Sequence, residues 1–133
     1  MELHHKIAGL IIKNGKILMT RKYDEDRFII PGGKIVSGES PRETLARELK
    51  EELDVDLVEM RFWSQNQTVH FKNKDKLIIM DSYLAQIKGE PKASSEINEF
   101  MWLDSTYKEK GIKIVSIDED YIFPELKRFG IIN

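Results

Sequence analysis

The chain has 133 residues, with 21 Lys and Arg against 23 Asp and Glu for a formal net charge of −2, and no cysteine. That length can bury a core without staples, and the missing cysteines exclude thiolate nucleophiles, disulfides and Cys-based zinc sites. The near-balanced charge leaves no electrostatic footprint for duplex nucleic acid or a membrane surface.

The opening "MELHHKIAG" places charges and a His pair before any apolar run, unlike a signal peptide. No apolar run approaches the roughly 20 residues of a membrane span, so a cytoplasmic protein is expected. In "KIAGLIIKNGKILMTRK" two apolar runs flank Asn14-Gly15, a pair that accepts positive φ at both central turn positions, which predicts a β-hairpin. "RFIIPGG" reads as another short strand that stops at Pro31 and the paired glycines. "SGESPRETLARELKEELD" is the best-defined element: Ser40 at the N-cap, Pro41 at the first helical position and Glu43 three residues after Ser40 form a capping box. At about 100° per residue, Leu45, Ala46, Leu49 and Leu53 fall on one apolar arc.

β-branched and aromatic residues return in "VDLVEMRFW", "QTVHF" and "KLIIMDSYLAQI", read as antiparallel strands around the turn chemistry of "KNKDK". "KGEPKA" is a loop and "INEFMWL" a final strand; "SIDEDYIFPELKRFG" reads as a helix entered at Ser116 whose continuity Pro124 interrupts. No linker or repeat divides residues 1–133, so one domain is expected. Strands on both sides of a strongly capped helix predict a mixed α/β (α+β) fold, a mixed sheet between helices.

"RELKEELDV" holds the chemistry. Glu48, Glu51 and Glu52 crowd an arc beside the apolar stripe, where like charges three and four apart repel by a few tenths of a kcal/mol per pair. Alone, the run reads as a solvated acidic face. The preceding "PGGKIVSGE" adds glycines that let backbone approach a ligand closely, and a further acid. Carboxylates and carbonyls together suit hard divalent cations, Mg²⁺ above all where phosphates complete the shell. Such a cation turns crowded carboxylates into a chelate, and Arg47 is placed to pair with and orient an acid.

From Gly33 to Val55, "GKIVSGESPRETLARELKEELDV" resembles the Nudix box, G-x5-E-x7-R-E-U-x-E-E-x-G-U with U a bulky aliphatic. Gly33, Glu39, Arg47, Glu48, Leu49, Glu51, Glu52 and Val55 occupy its positions; Asp54 stands where the pattern has glycine, a site expected to need a left-handed backbone that Asp enters at modest cost. "PGGK" before the box and "EINEFMWLD" after an antiparallel pair look like a small MutT-type member. The resemblance implies a Mg²⁺- or Mn²⁺-dependent hydrolase of a nucleoside diphosphate linked to a further group, with a nucleotide as its partner. It implies metal binding by Glu51 and Glu52, and a role for Glu48 split between metal ligation and water activation. The Gly32 carbonyl is an implied ligand, or else that glycine serves only a tight turn. Glu39 and Arg47, with Gly33, are expected to hold the loop–helix geometry. Glu96 is the first choice for a further catalytic carboxylate and Glu99 the second. Arg21 and Lys34 match phosphate-contacting positions, with solvated surface charge as the alternative.

His4, His5 and His70 lack metal-ligand spacing. Trp63, Phe71 and Tyr83 could stack on a base, although strand packing explains them as well. Around "TVHFKNK" neither the proline of ADP-ribose hydrolases nor the tyrosine of dinucleoside polyphosphate hydrolases occurs, and "TRKYDEDRF" lacks the coenzyme A hydrolase signature. What remains looks like hydrolysis of free (d)NTPs, including oxidised or non-standard ones, to NMP and pyrophosphate. Other Nudix substrates (ADP-ribose or nucleotide sugars, dinucleoside polyphosphates, RNA 5′ ends) and a non-catalytic nucleotide-binding regulator are the alternatives. Dimers are common among similar proteins, so a homodimer stays open.

Overall fold

Asn14 and Gly15 take positive φ, 52° and 73°, and close a two-residue turn between β2 (Ile12–Lys13) and β3 (Lys16–Lys22). This hairpin opens the smaller of two sheets in the computed structural model, which describes residues 1–70 and 72–133. Phe71, one of the three candidate stacking aromatics, lies outside the described residues. The larger sheet orders β4 (Gly32–Lys34), β1 (Glu2–Leu10), β6 (Lys76–Lys88) and β5 (Asp56–Val69); the smaller orders β2, β3 and β7 (Ile97–Leu103). β1 runs parallel to β6 and antiparallel to β4, so the larger sheet is mixed.

Alternation along the strands divides the core in two. Ile7, Ile11 and Leu18 pack against Leu45, Leu49 and Leu53 of α1 (Pro41–Leu53). Ala8, Leu10, Ile17 and Met19 turn the other way and meet Ile122, Phe123 and Leu126 around α2 (Phe123–Arg128). Burying each leucine of α1 contributes about 2 kcal/mol, more than any helix propensity does. The capping box forms in full: Ser40 Oγ accepts from the Glu43 N–H at 3.1 Å, and the Glu43 carboxylate from the Ser40 N–H at 3.0 Å. Asp54 ends α1 in the left-handed region, φ 54° and ψ 41°.

Three elements differ from the sequence reading. "RFIIPGG" is not a strand that stops at the glycines; the strand begins with them. Phe28 and Ile29 make only isolated bridges, to Ile114 and Thr20, and Pro31 has no N–H to extend a ladder. The described parts of "VDLVEMRFW" and "QTVHF" from Asp56 to Val69 lie in one strand, β5, with irregularities between Leu57 and Glu59 and between Phe62 and Ser64. In the tail, the Val115 carbonyl accepts from both the Asp118 and Glu119 N–H groups, so Ser116 lies inside the helix instead of capping it. A π-helical turn, Asp118–Ile122, then leads into α2, with the Phe123 N–H reaching back five residues to the Asp118 carbonyl. That wider turn absorbs the N–H missing at Pro124 without breaking the helix.

Replacing Asp54 by glycine relieves a left-handed residue and loses only an exposed contact to Lys50 at 3.5 Å. Thermal melts should show Asp54→Gly unchanged or more stable by up to about 1 kcal/mol; a clear drop in Tm would contradict this account of the helix end.

Candidate active site

α1 crosses the edge of the larger sheet at β4, which places its acidic face against the paired glycines. Gly9 N–H donates to the Pro31 carbonyl and Ile35 N–H to the His5 carbonyl, both at 2.9 Å. Alternation along the antiparallel pair therefore turns the backbone groups of Gly32 and Lys34 away from β1, toward α1. Gly32 N–H donates to Glu52 Oε1 at 3.3 Å, and the Lys34 carbonyl accepts from Arg47 at 3.4 Å. Gly32 has φ +145° and a Cβ there would meet the Ile7 carbonyl; at Gly33 a Cβ would land on the Glu48 carboxyl.

The three box glutamates have three different surroundings. Glu51 is 55% exposed, with its carboxylate 3.8 Å from Arg47. Glu48 accepts from Arg47 Nη1 at 2.7 Å. Glu52 is only 5% exposed. Burial pushes its pKa up to about 8, opposed by the nearby Lys6 ammonium and reinforced by Glu48.

Arg47 grips Glu39 through Nε at 2.6 Å and Nη2 at 2.9 Å, a two-pronged fork. Glu39 also accepts from Thr44 Oγ1 at 2.8 Å and the Val36 N–H at 3.3 Å, tying the loop to the helix. The Arg47 hydrogen bonds hold the Glu39 carboxyl down at about 2, and the same bonds raise the guanidinium above its ordinary value.

Two charged residues that sequence reading passed over lie behind the glycines. Lys6, half-buried on β1, donates to the Ile30 carbonyl at 3.0 Å. Burial lowers its pKa, while Asp118 and Glu52 pull it back up. Asp118 is fully buried and accepts from the Ile30 N–H at 3.0 Å through Oδ2, while its Oδ1 has no partner among the described residues. Burial raises its pKa to about 6, against the pull of Lys6. Both carried a signal: Lys6 shares the strand face of Ala8 and Leu10, and Asp118 leads the i, i+4, i+8 stripe with Ile122 and Leu126.

The remaining candidates are dispersed. Glu96 is exposed, 3.6 Å from Lys22 Nζ, on a loop anchored to the end of α1 by Ser94 N–H donating to the Glu52 carbonyl at 3.0 Å. Arg21 is engaged by Glu99 at 3.1 Å and by the Lys22 and Glu25 carbonyls. Lys34 is exposed. His4 bonds to Glu2, His5 to Asp81, and His70 accepts from the Lys72 and Asn73 amides. Trp63 packs edge-on against Phe129 and Tyr83 against Phe62.

The NUDIX domain pattern matches residues 3–107. The chain belongs to the Nudix family. Over 106 residues it is 31% identical to the 8-oxo-dGTP diphosphatase of Haemophilus influenzae, covering 74% of this chain and 75% of that one. Over 144 residues it is 25% identical to the RNA pyrophosphohydrolase of Mannheimia succiniciproducens, covering 92% and 72%. Among solved structures, the MutT protein from Methanosarcina mazei shares the fold with a TM-score of 0.77 at 23% identity, over 96% of this chain and 95% of that one. As a Nudix hydrolase, the chain acts on pyrophosphate bonds. Nudix hydrolases generally need divalent metals, and the homologues act on nucleotides. No described helix is long and apolar enough to cross a membrane.

Among the described residues, no three His, Asp or Glu side chains converge closely enough to cage an ion as they stand. The donor set nonetheless fits a hard divalent cation of the kind Nudix hydrolases use. Glu48, Glu51 and Glu52 share one helical face, only oxygen donors are involved, and Gly33 leaves the space that the Glu48 carboxyl occupies.

Asp118 yields a pH signature. Its folded pKa, about 6, lies above the ordinary aspartate value, so the folded state holds the proton more tightly. Stability from this group is full below about pH 4 and is lost as pH rises to about 6, by on the order of 3 kcal/mol. Asp118→Asn should flatten that part of the curve of unfolding free energy against pH; an unchanged curve would show that Asp118 does not titrate there.

Proposed function

We propose that residues 1–133 form one catalytic unit, a Mg²⁺- or Mn²⁺-dependent pyrophosphohydrolase. It takes free (d)NTPs, oxidised or non-standard ones included, and gives NMP and pyrophosphate. The observation that carries this reading is the acidic face of α1 set directly against the outward-turned backbone of Gly32. Glu51, Glu52, Glu48 and the Gly32 carbonyl are the residues that would hold the metal. When bound, the cation supplies the positive charge that lets a pyrophosphate approach these carboxylates and be attacked by water. Water adds to a phosphorus of the anhydride, the bridging P–O bond breaks so that NMP and pyrophosphate separate, and the proton of the attacking water passes to a carboxylate. Glu48 is one candidate acceptor; Glu96, hung on the loop tied to the Glu52 carbonyl, is the other. Arg47 keeps Glu48 oriented while Glu39 anchors Arg47. Lys34 is free to meet phosphate, whereas Arg21 would first have to leave Glu99.

The likeness to an 8-oxo-dGTP diphosphatase supports the free-nucleotide reading. A second reading, removal of pyrophosphate from RNA 5′ ends, is favoured by the RNA pyrophosphohydrolase that aligns along 92% of this chain. A Mg²⁺-supplemented panel of (d)NTPs, 8-oxo-dGTP, nucleotide sugars, dinucleoside polyphosphates and 5′-triphosphorylated RNA decides between them. NMP and pyrophosphate from the free nucleotides are expected; turnover confined to RNA would move the assignment.

Glu52→Gln should keep the fold and lower turnover at least about a hundredfold; full activity at limiting Mg²⁺ would contradict the site. Gly33→Ala meets only the far end of the Glu48 side chain and no backbone, so its Tm should fall only modestly as the Arg47 bond is disturbed. The displaced carboxylate should weaken Mn²⁺ binding about tenfold, and an unaltered Mn²⁺ titration would remove Glu48 from the ligand set.

A further inference from the structure

Among the described residues, every polar backbone group from Ile30 to Gly32 but one has a partner. Ile30 N–H donates to Asp118 Oδ2 at 3.0 Å and its carbonyl accepts from Lys6 Nζ at 3.0 Å. Pro31 has no N–H, and its carbonyl accepts from the Gly9 N–H at 2.9 Å. Gly32 N–H donates to Glu52 at 3.3 Å. The group left over is the Gly32 carbonyl, which the strand register turns away from β1. Three charged side chains from three elements thus grip one three-residue strap: Lys6 from β1, Asp118 from the π-helical turn, Glu52 from α1.

The grip is costly to the fold. Asp118 is fully buried with one carboxylate oxygen unpartnered among the described residues, and the half-buried Lys6 ammonium is bonded to the same residue, Ile30. Packed apolar residues at such positions commonly do as well or better for stability. π-helical turns recur where a side chain must be held out of helical register, frequently at functional sites. Each of the two charges makes its hydrogen bond to Ile30, Asp118 through Oδ2 and Lys6 through Nζ.

We propose that Lys6 and Asp118 are positioning residues of the metal site: they clamp the Ile30–Gly32 backbone so that the Gly32 carbonyl stays aimed at Glu48, Glu51 and Glu52. This inference rests on the metal-dependent reading above. It assigns to β1 and to the tail helix a part in the site that the Nudix box, residues 33–55, does not contain.

The test uses the full chain with two readouts that need no turnover: Mn²⁺ binding by electron paramagnetic resonance without nucleotide, and hydrogen exchange of the Gly32 amide in metal-free protein. Lys6→Met and Asp118→Ala should each weaken Mn²⁺ binding about tenfold and speed Gly32 exchange. The Mg²⁺ needed for half-maximal turnover should rise by a similar factor, with a much smaller fall in kcat at saturating Mg²⁺. Asp118→Asn keeps an acceptor for the Ile30 amide and Lys6→Arg keeps a donor for its carbonyl, so both should restore binding to within about threefold of wild type. Should one disruptive variant fail to fold, the other carries the comparison. Unchanged Mn²⁺ affinity and Gly32 protection in a folded Lys6→Met or Asp118→Ala protein would overturn the proposal. So would Asp118→Asn altering preference among nucleobases with Mn²⁺ binding intact, because Asp118 would then read the substrate. If wild type and Glu52→Gln bind Mn²⁺ equally poorly, the metal reading itself fails. If Glu52→Gln alone loses it, only the clamp does.

Discussion

Three glutamates within five positions of one helix have to be kept from driving the helix apart, and the structure gives each its own relief. Arg47 takes Glu48 into a 2.7 Å bond, solvent screens Glu51, and Glu52 is buried so that its proton is held until about pH 8. Exposed like charges at helical spacing cost only tenths of a kcal/mol, so Glu51 alone would be harmless. The cost sits at Glu52, where little water reaches the carboxylate and desolvation dominates. Arg47 matters less as a salt bridge than as a ruler. Its guanidinium, a third exposed, adds modest stability once screening is allowed for. Its planar fork fixes Glu39 and Glu48 relative to each other, which a lysine's point charge could not do.

The same constraint explains the glycines. A helix bearing buried and half-buried carboxylates can approach a sheet edge only if that edge offers donors and no side chains. Gly32 supplies an N–H to Glu52, and Gly33 leaves room for the Glu48 carboxyl. β4 is short because Pro31 cannot extend it and because its task is to present backbone, not to widen the sheet.

Much of this was legible in residue order. The Asn14-Gly15 turn, the Ser40–Glu43 capping box and the left-handed Asp54 are local, and local chemistry specified them. The acidic arc was legible because helical spacing alone puts Glu48, Glu51 and Glu52 on one face. What failed was set by distant partners. Phe28 and Ile29 read as strand, yet Phe28 N–H is claimed by the Lys113 carbonyl and Ile29 only bridges Thr20. β5 read as two strands because irregularities break its alternation, while twelve register partners on β6 hold it as one. Nor does residue order show that the pairing of β3 with β7 brings Glu99 alongside Arg21.

Lys6 and Asp118 show the deeper limit. Each is an isolated charge at a position whose face is otherwise apolar, a pattern visible along the chain but with no indication of what it serves. Their meaning appears only when β1 and the tail helix bring both charges to the carbonyl and N–H of Ile30. The Ile30–Gly32 backbone therefore lies at the seam between the two cores, where α1 packs on one face of the sheet and α2 on the other. A site on that seam is held by both halves of the fold, so loosening either core loosens the glycine strap. A flexible loop could offer the same oxygens, but it would have to lose conformational entropy to aim them each time a cation bound. Here that ordering is done by folding, and one half-satisfied carboxylate, Asp118, is retained in the core as its consequence.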